Sequence, residues 1–266
     1  MNADMANSAD LAEDLADLYV ETSPVGPVVR PARASGAVVL YLHGDWFPPI
    51  PRTSPIPPFP SAAARLARES RATVVCCDYG PSFPGSLEDV RAGFDYCERR
   101  GPTVVAGERL GAGLAAALLL RLRDEGAAPP YCGVLSSALL DLTLEAPSLS
   151  LNAAANPAFD VGSLGRRVRR YAAGAAPTNP LLSPLYGNLH GLPPIQLLVA
   201  GNDPLLDDSL ALASRAARSG VTVDLRVRPV GADPDDASVA AMAGFIRTHT
   251  GADPSRADST SRMISG

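Results

Sequence analysis

Six short apolar runs at 37–42, 72–77, 103–106, 132–136, 195–200 and 221–227 constrain the fold more than any other feature of this chain. They are rich in Val, Leu and Ile and largely lack the polar alternation of a half-exposed strand, so they read as strands buried on both faces. Helical patterns fill the intervals at 61–70, 86–99, 111–125, 207–219 and 237–248. This alternation predicts an α/β fold with a mostly parallel central sheet flanked by helices. A length of 266 residues suits one domain with a substantial core. That domain is expected to span 1–250, and the polar stretch 251–266 to form a disordered tail. Ligands of such sheets bind beyond the carboxyl ends of the strands, so the residues following each run carry the functional information.

Composition removes several chemistries. All 23 basic residues are arginine, which excludes a lysine Schiff base, a lysine-held pyridoxal cofactor and a phosphate-loop lysine. The three histidines, His43, His190 and His249, stand in no metal-ligand spacing, so neither a metal nor another cofactor is expected. A net charge of −5 argues against nucleic acid and against an anionic membrane as partners. The opening MNADMANSAD carries no apolar signal segment, and the Leu114–Leu120 run is too short to span a bilayer. Adjacent Cys76 and Cys77 inside an apolar run read as buried thiols, so a cytoplasmic protein is expected.

Three segments interrupt the alternation. Residues 48–60 hold seven prolines in thirteen positions and predict a stiff lid loop over the strand ends. Further lid or cap elements are expected around 1–30 and 145–180. The latter contains a helix candidate at 164–172 whose Arg166, Arg167, Arg169 and Arg170 read as a solvated face.

The order of motifs resembles the hormone-sensitive-lipase-like branch of the α/β-hydrolases. YLHGDW is similar to that family's H-G-G-G oxyanion loop, and CCDYGPSFPGSLEDV to a shortened form of its D-Y-R-L-A-P-E…F-P-x-x-L-E-D stretch. VVAGERLGAGLAAAL stands where the nucleophile elbow G-D-S-A-G-G and its helix belong, and GNDPLLDD follows at the place of the triad acid. The resemblance covers about residues 36–250 and implies an α/β-hydrolase fold with a reduced cap and a proline-rich lid loop. It allows a homodimer.

The chemistry departs from the pattern that the resemblance implies. At the elbow, a serine on a strained strand-to-helix turn exposes its hydroxyl. Here the sequence is Gly107-Glu108-Arg109-Leu110-Gly111, and a guanidinium cannot attack a carbonyl. The glycine-flanked Ser163 lacks elbow spacing. The loop in which the family places its histidine reads PVGADPDDA, with Asp233, or its neighbours Asp235 and Asp236, nearest the expected position. The match to the triad acid is Asp203, read as a structural remnant or a group in a new role. Asp45 follows Gly44 where the family has further oxyanion-loop glycines.

These departures lead to the expectation of a non-hydrolytic enzyme on a hydrolase scaffold. It would be a cyclase, dehydratase, isomerase or other lyase of bacterial natural-product metabolism, with no acyl-enzyme. The alternative expectation is a binding or scaffold pseudoenzyme. The expected catalytic residues are Arg109, Asp45, Glu108 and Asp233, acting as carboxylate acid or base and as electrostatic stabiliser. The expected substrate-binding residues are His43, Gly44, Trp46, Tyr79 and Leu110, around an apolar or aromatic small molecule.

Overall fold

The computed structural model describes residues 17–44, 61–155, 159–229 and 236–251. Each apolar run forms a strand. In chain order these are β1 (Leu18–Ser23), β2 (Gly26–Pro31), β3 (Val38–Leu42), β4 (Thr73–Cys76), β5 (Thr103–Glu108), β6 (Gly133–Ser136), β7 (Ile195–Ala200) and β8 (Val223–Arg228). Among the described residues, six helices of ten residues or more accompany them: α1 (Ser61–Ser70), α2 (Gly85–Glu98), α3 (Arg109–Asp124), α4 (Val161–Ala172), α5 (Leu206–Arg218) and α6 (Asp236–Thr250). The eight strands form one sheet in the order β1-β2-β4-β3-β5-β6-β7-β8. Pairing is antiparallel from β1 through β2 to β4, and parallel from β4 to β8.

Residues 17–31 depart from the sequence expectation. The sequence places the segment around 1–30 among the lid or cap elements, yet 18–31 form an antiparallel edge hairpin that pairs through Val28–Val75 and Val29–Val74. Val28 and Val29 are buried while β1 is largely exposed, so the hairpin lacks the continuous apolar character of the central strands.

Alternating residues of the central strands feed two cores. Val38, Leu40 and Leu42 point with Val105 and Leu135 into the larger one, beneath α2, α3, α4 and α5. Val39 and Tyr41 point with Val74, Val104 and Ala106 into the smaller one, beneath α1 and α6. Helix α3 is buried on nearly every side, as an apolar helix lying across a sheet should be. Each of its buried leucines contributes about 2 kcal/mol by leaving water. At the surface, Arg121 donates to both oxygens of Glu88, at 2.8 and 3.0 Å, and to Glu125 at 2.7 Å, clamping α3 to α2.

The topology then selects a site. From β3 the chain passes to β4 on one side, returns across β3 to β5, and continues to β6, β7 and β8. The carboxyl ends of β3 and β5 therefore adjoin at the point where strand order reverses, the usual crevice of an open α/β sheet. Helix α4 is tied to this end. Phe83 N–H donates to the Tyr171 carbonyl at 2.9 Å, and the Ser86 and Tyr171 hydroxyls share a 2.9 Å hydrogen bond. No helix among the described residues is long and apolar enough to cross a membrane.

Candidate active site

The β5–α3 turn is built by close backbone contact. Arg109 has φ +47°, a left-handed conformation that costs a non-glycine residue about 1–2 kcal/mol. A Cβ on Gly107 would strike the Gly111 carbonyl, and one on Gly111 would strike the carbonyls of Leu42 and His43. Gly44 lies directly on the turn, where a Cβ would come within 2.5 Å of the Glu108 carbonyl oxygen and 2.7 Å of its Cβ. The sequence thus spends glycines where β3's end, β5's end and the start of α3 meet.

Around this turn the structure assembles several predicted residues. The Tyr79 hydroxyl donates to the His43 carbonyl at 2.5 Å, and the two rings stack with centroids 5.0 Å apart. The Glu108 carboxylate accepts a hydrogen bond from the Tyr41 hydroxyl, which lies wholly buried in the smaller core. Burial raises the Tyr41 phenol well above its ordinary range, the Glu108 carboxylate adds to this, and the Arg109 charge opposes it. Tyr41 therefore remains a donor, and Glu108 is engaged beneath the turn. Leu110 is packed into the larger core. Asp45, Trp46 and Asp233 lie outside the described residues.

Sequence reasoning missed a second element of the site. Glu108 of β5 pairs in register with Ser136 of β6, so Arg109 and Ser137 are the residues that directly follow two adjacent strands. Leu139 N–H donates to the Arg109 carbonyl at 3.0 Å and holds the two turns together. Ser137 has φ +44°, and its hydroxyl donates to Asp203 Oδ2 at 2.6 Å. The other carboxylate oxygen of Asp203 accepts from Leu205 N–H at 2.8 Å, and the Asp203 carbonyl accepts from the Asn152 amide at 2.9 Å. The one local signal is a serine pair that closes the fourth predicted strand, Ser136 at its end and Ser137 just beyond it.

The first turn of α5, next to Asp203, carries two carboxylates with different roles. Asp207 accepts from Ser148 N–H at 2.8 Å. Asp208 is buried and accepts from Leu140 and Asp141 N–H groups at 2.7 and 3.0 Å. Burial pushes the Asp208 carboxyl up to about 7, against the pull of those two donors and with help from the Asp141 and Asp207 charges. The folded state therefore holds a proton there that the unfolded chain has released, from about pH 4 to about pH 7. Stability falls as pH rises across that window and levels off above it, by on the order of 4 kcal/mol. Urea unfolding at pH 4.5 and 7.5 checks this: Asp208→Asn is expected to remove that part of the slope, and an unchanged slope would contradict it.

Other nucleophiles are poorly placed. All four cysteines are free and buried, and burial pushes the thiols of Cys76, Cys97 and Cys132 up to about 12. Among the described residues no group of three His, Cys, Asp or Glu side chains is arranged to hold a metal ion.

Residues 39–230 match the family model described as the alpha/beta hydrolase fold. An acetyl-hydrolase of Streptomyces hygroscopicus is 34% identical over 213 residues, covering 76% of this chain and 69% of that protein. The esterase LipI of Mycobacterium tuberculosis is 33% identical, covering 81% of this chain and 71% of its own. The crystal structure of an esterase from the bacterial hormone-sensitive lipase family superposes with a TM-score of 0.79 at 29% identity, covering 88% of this chain and 86% of that one. These relatives correct the functional expectation drawn from the sequence. A cyclase, dehydratase, isomerase or other lyase of natural-product metabolism is not what they are, and neither is a binding or scaffold pseudoenzyme. Their names point to hydrolysis. The non-hydrolytic expectation follows from the elbow arginine, the missing loop histidine and Asp45 of the oxyanion loop, whereas the strand ends also hold a Ser137 hydroxyl against the Asp203 carboxylate.

Proposed function

The chain belongs to the alpha/beta-hydrolase-fold family, in its hormone-sensitive-lipase-like branch, and from that membership we propose that it hydrolyses small carboxylic esters with the elbow serine and its histidine partner replaced. Arg109 occupies the elbow turn, and the loop after β8 contains no histidine. The observation that carries the reading is the Asp203 carboxylate, fixed at one oxygen by Leu205 N–H and presenting the other to a hydroxyl at 2.6 Å. A carboxylate held this way can take the proton of an attacking oxygen and return it to the departing alcohol. Arg109 is assigned the positive charge that meets the oxyanion forming on the carbonyl oxygen. Glu108, held by Tyr41, positions the turn.

The substrate class is a small acyl ester, acetyl above all, of an apolar or aromatic alcohol. The name of the acetyl-hydrolase relative supports the acyl part, and the half-buried aromatic wall of Tyr79 and His43 supports the alcohol part. A cytoplasmic setting belongs to the same proposal and is supported by the four free, buried thiols.

Steady-state hydrolysis of p-nitrophenyl acetate tests this reading. Arg109→Gln is expected to lower kcat/KM by about 10²–10³-fold, the usual loss when one oxyanion donor is removed. KM should change little, because the guanidinium meets charge that develops after binding. Wild-type rates in that variant would overturn the role of Arg109.

A further inference from the structure

We propose that Ser137 is the nucleophile of this hydrolase, on a second strand-end turn beside the elbow. The inference rests on the ester-hydrolase reading above and names the oxygen that attacks. Four observations place it there. Ser137 follows β6 at the carboxyl end of the sheet, one residue beyond the register pair Glu108–Ser136. Its φ of +44° is a strained conformation for serine, the same left-handed turn that Arg109 adopts on the adjacent strand. Ser137 is half-buried, and its hydroxyl donates to Asp203 Oδ2 at 2.6 Å. The carboxylate is itself oriented by Leu205 N–H and by the Asn152 contact to its backbone.

Glycine would fit the Ser137 backbone better than serine does, since it enters the left-handed region without penalty. The hydroxyl is therefore retained at a conformational cost of about 1–2 kcal/mol. Strained non-glycine residues of this kind cluster at functional sites. A nucleophile hydrogen-bonded to a base that is oriented by a third group is also the general arrangement for covalent catalysis by a hydroxyl.

The reaction balances on these groups. Ser137 Oγ forms a bond to the acyl carbon as its proton passes to Asp203 Oδ2, the carbonyl π bond opens to an oxyanion, and Arg109 is assigned to that charge. The ester C–O bond breaks, and the alcohol leaves with the proton from Asp203. Water then attacks the acyl carbon and gives a proton to Asp203, which returns it to Ser137 Oγ as the carboxylic acid departs. No oxidant, metal or cofactor takes part.

The test uses the full chain and two readouts. The first is covalent labelling with phenylmethylsulfonyl fluoride, read by intact mass and peptide mapping. One sulfonyl group on Ser137 is expected, absent from Ser137→Gly and present in Ser136→Ala. The second is p-nitrophenyl acetate turnover. Ser137→Gly is expected to lose about 10²–10⁴-fold in kcat while its melting temperature moves by only a few degrees, because relief of the left-handed strain offsets most of the lost Asp203 hydrogen bond. A label on another residue, or wild-type turnover in Ser137→Gly, overturns the inference and leaves the ester-hydrolase reading standing. A chain labelled at Ser137 that cleaves no carboxylic ester overturns the substrate class instead and upholds Ser137.

Discussion

Asp203→Asn lowers kcat for acetyl-ester hydrolysis by about 10²–10⁴-fold, the range of a lost general base. Asparagine has the same shape and can still accept the Leu205 N–H, so the turn after β7 keeps its local bond. What it cannot do is take a proton. Its amide nitrogen would replace the carboxylate oxygen that now accepts from Ser137 at 2.6 Å. The stability cost should stay near one hydrogen bond to a charged group, about 1.5–3 kcal/mol. Catalysis and stability thus separate in this variant, and the comparison is kcat beside urea unfolding. A variant that retains wild-type kcat places the base elsewhere.

Gly111→Ala is expected to destabilise the protein by about 3 kcal/mol, the upper end of ordinary overpacking. Its Cβ would collide with the carbonyls of Leu42 and His43, which are backbone atoms of a strand end and cannot rotate aside as a side chain would. Relief requires the start of α3 to lift off β3, and that motion also displaces Arg109, two residues earlier. Activity should therefore fall together with stability. Gly244→Ala is the matched control. Its Cβ would meet nothing within 4 Å inside α6, so the better helix propensity of alanine should stabilise by up to about 1 kcal/mol. Thermal melts of the pair should move in opposite directions, and equal shifts would show that the elbow glycine tolerates a side chain.

Five strands, β3 to β7, are legible because burial on both faces leaves continuous apolar runs, and the edge strand β8 shows instead as the alternating run VTVDLRV. The β1–β2 hairpin escaped notice for the converse reason. β1 is mostly exposed and carries polar residues, and β2 contains prolines tolerated only where the ladder permits them. Pairing with β4, some 45 residues further on, makes it a strand.

The site divides along the same line. His43, Gly44, Glu108 and Arg109 were legible because each lies at the end of a predicted strand, and strand ends carry the ligand in such sheets. The Tyr41–Glu108 bond joins residues 67 apart, and the Ser137–Asp203 bond residues 66 apart. Neither could be read without the β3–β5, β5–β6 and β6–β7 registers. In the sequence Asp203 has no visible partner, so it reads there as a structural remnant or a group in a new role. Once β6 and β7 pair, Ser137 lies against it.

Oxygen tracing during turnover tests hydrolysis at this site most directly. With p-nitrophenyl acetate and water carrying heavy oxygen, the expected products are acetate and the phenol in equal amounts. One heavy oxygen should enter each acetate, none should enter the phenol, and Asp203→Asn should lower the enzyme-dependent release by about 10²–10⁴-fold. Acetate released without heavy oxygen, or no release above the uncatalysed rate by the wild-type chain, would contradict it.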